Sequence, residues 1–112
     1  MENKKISLLL IVSIFFAVAT WKCNAQGPAK TWCVATSTAP EYNLQAVIDI
    51  ACGNIVNCSP IVSFSQCYYP NTVRNHASFV LNLLYRREDA HCLEAVGVIV
   101  TQDPSYGGCH YP

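Results

Sequence analysis

The chain has 112 residues, is formally neutral with seven Lys or Arg against seven Asp or Glu, and carries charge at only 12% of its positions. That length holds one small domain and excludes an eight-stranded glycosidase barrel, which takes about 250 residues. The charge balance excludes a nucleic-acid surface, which needs a basic face.

Lys4 and Lys5 open the chain, an apolar run follows over residues 6–19, and Cys23-Asn24-Ala25 comes shortly after it. The run is shorter than the about 20 residues that span a bilayer. Small residues at the −3 and −1 positions then mark a signal peptide over 1–25, cleaved before Gln26. The remainder carries Lys30, Arg74, Arg86 and Arg87 against Glu41, Asp49, Glu88, Asp89, Glu94 and Asp103, a net charge of −2. Arg86-Arg87 reads as a solvated helix end, where cations complement the helix dipole. Of seven cysteines, Cys23 leaves with the signal, and Cys33, Cys52, Cys58, Cys67, Cys92 and Cys109 stay. An even count in a short secreted chain reads as a disulfide framework, which a thin core needs. The spacings lack a CxxC pair, so neither a metal nor a cofactor is expected. The count does not choose a pairing, although Cys52 at a helix end, Gly53 at a turn and nearby Cys58 suit a local bridge.

Residues 26–31 are a polar lead-in, and 32–112 form the domain. "WCVA", 32–35, reads as a short strand. Thr38 and Glu41 have capping-box spacing, with Pro40 in the permitted first turn. Leu44, Val47, Ile48 and Ala51 make one helical stripe, and Gly53 suits a C-terminal cap. Ser59-Pro60 starts a short helical turn through about Ser63. Asn71 is the expected cap of a second helix over roughly 72–86. At about 100° per residue, Val73, Ala77, Val80 and Leu84 share a face, widened by Phe79 and Leu83 and joined by His76. Arg74, Ser78, Asn82 and Tyr85 fall on the other side. "LEAVGVIVTQ", 93–102, reads as a strand with an irregularity at Gly97. "DPSYGGCHYP" is turn and tail, and no apolar tail of the glycolipid-anchor kind follows, so no membrane anchor is expected. The fold class is α+β: a small disulfide-stapled domain with two main helices and a small antiparallel sheet.

The order "WCVA", "LQ…AC", "ACG…CS", "CYYPNT", "HASF…N…Y" and "DPSYGGCHYP" resembles the plant X-eight domain, carbohydrate-binding module family 43, over residues 32–111. That family occurs as the C-terminal module of endo-β-1,3-glucanases, in plasmodesmal callose-binding proteins and as stand-alone secreted proteins. The resemblance implies the pairing Cys33–Cys92, Cys52–Cys58 and Cys67–Cys109. It also implies a secreted β-1,3-glucan-binding module of the plant cell wall or plasmodesmata. The chain departs from the family where Leu93, Glu94 and Ala95 follow the fifth cysteine, where Leu83-Leu84 precede Tyr85, and in "HASFVL". These departures remove aromatic or hydroxyl surface.

A sugar ring needs a flat apolar face for its C–H bonds and fixed polar groups for its hydroxyls; tyrosine supplies both, and Asn and Arg add donors. Tyr69, Arg74, Asn82 and Tyr85 are the candidate glycan contacts, with Tyr68 beside them. His76 reads as a packed core residue, Trp32 as core and Asn71 as a cap. Asn57-Cys58-Ser59 is a formal N-glycosylation sequon. The six acids form no evident pair of facing carboxylates, so a glycosidase is not expected. A monomer is expected, with polysaccharide as partner. The readings from other classes are a disulfide-rich defence peptide or protease inhibitor, and a structural module that has lost its glucan.

Overall fold

The structure, a computed structural model, describes residues 28–87 and 91–112; residues 1–27, and with them the expected signal peptide and cleavage point, lie outside the described residues, as do 88–90. The elements in chain order are β1 (Trp32–Ala35), α1 (Glu41–Asn54), a 3₁₀ turn (Ser59–Ile61), α2 (Val73–Tyr85) and β2 (Gly97–Val100). β1 and β2 pair antiparallel, with Trp32 opposite Val100 and Ala35 opposite Gly97.

Two strands alone are marginal in water. Here α2 completes the sheet. Asn82 Oδ1 accepts the Cys33 N–H at 3.2 Å, and Ser78 Oγ accepts the Ala35 N–H at 3.0 Å. Ser78 and Asn82 are one helical turn apart, and Cys33 and Ala35 point their N–H groups to the same edge. Two side chains of α2 therefore occupy the place of a third strand along β1. Asn82 is fully buried, and its Nδ2 donates to Pro112 O at 2.8 Å. This corrects the expectation that Asn82 faces solvent. The open backbone edge of β1 requires acceptors, and a polar residue on the helix flank supplies one.

The core lies on both sides of that seam. Trp32, Ile61, Phe79, Val80 and Tyr111 pack in one cluster, and Cys33, Leu44, Ala77, Leu81 and Val96 in the other. Alternation along β1 sends Trp32 and Cys33 to opposite clusters. The α1 stripe behaves as expected: Leu44 and Ala51 are buried, and Val47 and Ile48 half-buried. Three bridges staple the domain, Cys33–Cys92, Cys52–Cys58 and Cys67–Cys109, the same pairs that the resemblance implies.

Several boundaries differ from the sequence reading. Thr38 does not cap α1; the Pro40 carbonyl there receives the N–H groups of Asn43 at 3.0 Å and Leu44 at 3.2 Å. Gly53 lies inside α1, which ends when Ile55 and Val56 both donate to Ala51 O. Thr72, not Asn71, caps α2, its Oγ1 accepting the Asn75 N–H at 3.1 Å. β2 covers only four of the ten residues of the expected 93–102 strand, because Val96 and Gly97 fold back to donate to Leu93 O. Gly97 is required by close approach: a Cβ there would stand 2.9 Å from Cys33 Sγ, 3.0 Å from Cys92 Sγ and 3.1 Å from Leu93 O.

Candidate functional site

The loop from the 3₁₀ turn to α2 carries the most exposed aromatic surface. Ser65 donates to Val62 O and Tyr68 to Ser65 O, so the chain makes successive tight turns over 62–68. Within them Phe64 has φ 67°, a backbone region that bulky residues rarely enter, and its ring is 85% exposed. The Tyr68 ring lies 6.1 Å from Phe64 and 4.8 Å from Tyr69, the latter edge-on at 82°. Tyr69 is 59% exposed, whereas Tyr68 is half-buried against His76 at 5.5 Å. Phe64, Tyr68 and Tyr69 thus form a continuous aromatic shelf whose outer members face water.

The shelf is anchored to α2. His76 Nε2 donates to Tyr68 O at 2.7 Å, which fixes both the ring and the carbonyl. Cys67, immediately before the tyrosine pair, is buried and bridged to Cys109. A rigid aromatic surface of this kind offers apolar ring faces to a ligand at little cost in conformational entropy.

The four residues expected to contact glycan do not converge. Tyr69 is on the shelf. Arg74, two positions before His76, projects from nearly the opposite side of α2. Its Nη1 donates to Thr36 O and its Nη2 to Ala39 O, tying the β1–α1 connection to α2. Asn82 is committed to Cys33 and Pro112 inside the domain, as described above. Tyr85 stands nine residues beyond His76, about 14 Å along the helix. Its hydroxyl meets Thr31 Oγ1 at 2.7 Å, and the Arg86 guanidinium covers its ring at 5.2 Å.

Phe64 escaped the sequence reading because no periodicity marks it. It sits between Ser63 and Ser65 in a turn, and the signal that could have found it is a large aromatic where the chain has no core to bury it in.

An apolar hollow of about 320 Å³ lies at the far end of α2 among Val47, Ile50, Ile55, Leu84, Arg87, His91 and Leu93. Arg87 Nη1 is held by Ile55 O at 2.9 Å. The hollow has few polar groups to meet sugar hydroxyls, so it suits glycan less well than the shelf. Among the described residues no group of three or more His, Cys, Asp or Glu could hold a metal, and no helix is long and apolar enough to cross a membrane.

Comparison with known proteins agrees with this architecture. The family model for the X8 domain matches residues 31–93, more than half of the chain. A major pollen allergen of olive, Ole e 10, is 39% identical over 87 residues, which are 73% of this chain and 71% of the allergen. A wheat glucan endo-1,3-beta-glucosidase is 43% identical over 84 residues, 71% of this chain but only 18% of the wheat protein's length. Plasmodesmata callose-binding protein 1 of Arabidopsis thaliana is 31% identical over 86 residues, 72% of this chain and 43% of that protein. The chain therefore spans less than a fifth of the wheat glucosidase it matches. With its framework of six bridged cysteines, two helices and a two-stranded sheet, the chain belongs to the X8 domain family.

Proposed function

We propose that the chain is a secreted, non-catalytic carbohydrate-binding module that recognises β-1,3-glucan in the plant cell wall, including the callose of plasmodesmata. The observation that carries this reading is the exposed aromatic shelf of Phe64, Tyr68 and Tyr69. A surface that leaves Phe64 85% and Tyr69 59% exposed keeps unburied apolar area on a domain with little core to spare. Sugar C–H faces cover such area without needing a deep pocket, while tyrosine hydroxyls remain free to meet ring hydroxyls. The names of the relatives, a glucan endo-1,3-beta-glucosidase and a callose-binding protein, support the same ligand class. Residues 1–25 act as the signal peptide in this reading, and 32–112 as the binding domain.

A shallow shelf recognising short glucans binds weakly, about −4 to −7 kcal/mol, or millimolar to tens of micromolar. The test is a titration of the secreted protein with laminarin against cellulose and chitin oligomers. Saturable binding to laminarin alone is expected. Binding to none of the three would favour a structural module without a glucan ligand.

A further inference from the structure

We propose that Tyr106, with Asn75 behind it, is a positioning residue that sets the aromatic shelf for its ligand; the inference rests on the shelf being the glucan-binding surface. The Tyr106 hydroxyl donates to Tyr69 O at 2.7 Å and accepts from Asn75 Nδ2 at 2.8 Å. Both of its hydrogen-bonding roles are thereby used inside the protein. Tyr106 belongs to the frame beneath the shelf, and its hydroxyl is not offered to the ligand.

The frame is built from three directions. Asn75 lies in the first turn of α2, one turn after the Thr72 cap, and its Nδ2 also reaches Cys67 O at 3.4 Å. Tyr106 closes a tight turn with Cys109: Tyr106 N donates to Cys109 O at 3.0 Å, and Cys109 N to Tyr106 O at 2.8 Å. Gly107 at φ 51° permits that turn. Asp103 Oδ1 receives the Ser105 N–H at 2.8 Å, and Ser105 Oγ receives the Tyr111 N–H at 2.9 Å, so the turn is held from both sides. Cys109 is bridged to Cys67. The C-terminal turn therefore grips the shelf twice, through the disulfide at Cys67 and through the phenol at Tyr69 O. His76 holds the carbonyl between them, that of Tyr68.

The carbonyls of Cys67, Tyr68 and Tyr69 each accept from a side chain: Asn75, His76 and Tyr106 respectively. Consecutive pinning of this kind holds the backbone from which the Tyr68 and Tyr69 rings project, and so limits the angles the two rings can make. The angle between them decides whether both rings meet one glucan chain. Freeing Tyr69 O would let the Tyr69-Pro70 turn sample other orientations, and the ordering cost would then fall on binding.

The variant Tyr106→Phe keeps the ring and removes both hydrogen bonds. Its folding is followed by circular dichroism and thermal melting, its shelf by the ring proton resonances of Phe64, Tyr68 and Tyr69 without ligand, and its binding by laminarin titration. Expected are a folded domain, shifted and broadened Tyr68 and Tyr69 ring signals, and about fivefold weaker laminarin binding, the scale of one lost hydrogen bond. Asn75→Ala removes only the far bond and should shift the same signals less. Unchanged ring resonances and unchanged affinity in Tyr106→Phe would overturn the inference. If the parent ignores laminarin while the ring signals still move, the positioning role stands and the glucan reading fails. If the rings move and laminarin affinity does not, Tyr106 sets the shelf but not its ligand, and the inference is overturned at that step.

Discussion

Asn82 Oδ1, on α2, accepts the backbone N–H of Cys33, in the middle of β1, at 3.2 Å. The bond joins residues 49 apart in sequence, and both partners are fully buried. It makes the sheet depend on the helix. Asn82→Ala leaves the buried Cys33 N–H without its acceptor, while Pro112 O at the surface keeps the Arg86 Nε–H at 2.8 Å. A loss of about 1–3 kcal/mol is expected, against about 1 kcal/mol for the net contribution of a typical hydrogen bond. Urea unfolding measures it. An unfolding midpoint equal to the parent's would show that water or a neighbouring group replaces the amide.

The same residue shows where sequence reading stops. Periodicity placed Leu44, Val47, Ile48 and Ala51 on one face of α1, and Ala77 and Val80 on the core face of α2, because apolar side chains report burial directly. A wheel gives the angle of Asn82 but not what lies across from it. The unpaired edge of β1, which makes a buried amide favourable, exists only in three dimensions. The cap of α2 slipped by one residue, from Asn71 to Thr72, because both types accept N–H groups and sequence does not show which one leaves helical geometry. Tyr69 was legible as an aromatic beside a turn. Phe64 was not, since its exposure follows from a backbone twist at φ 67°.

Gly97 faces the Cys33–Cys92 bridge with no room for a Cβ. Gly97→Ala forces either the bridge or the Leu93 carbonyl to shift, and overpacking of this kind costs about 1–3 kcal/mol. Expected is a lower melting temperature with the three bridges still formed, read by differential scanning calorimetry and a peptide map. Parent-like melting would show that the 93–97 turn yields freely.

Burial pushes the Tyr111 phenol well above its ordinary value, with a smaller effect from Tyr106. The folded state therefore favours the neutral phenol, and the unfolded chain ionises it near pH about 10. The stabilisation is complete below that pH and is lost as pH rises above it. Urea midpoints should hold steady to about pH 9 and then fall. Tyr111→Phe should lose less between pH 9 and pH 11 than the parent does; equal losses would assign the alkaline weakness to other groups.

If residues 1–25 are removed as the proposed signal peptide, the mature protein should begin at or near Gln26 and carry no free thiol, because Cys23 would leave with them and the other six cysteines are bridged. Mass spectrometry and thiol titration of the unfolded, unreduced protein check both points. A product that retains residues 1–25 would contradict the processing, and one titratable thiol the pairing.

The measurement closest to the central claim is a laminarin titration of the parent beside Phe64→Ala, Tyr69→Ala and, as a control, Tyr42→Ala, whose side chain is 75% exposed on α1. Each variant is first shown to be folded by circular dichroism. Removing one stacking ring should cost about 1–2 kcal/mol, which for a weak binder erases most detectable binding. The expected result is saturable binding by the parent and Tyr42→Ala, with binding lost or weakened about tenfold in the two shelf variants. Equal affinity in Phe64→Ala, Tyr69→Ala and the parent would contradict the shelf as the glucan-binding surface.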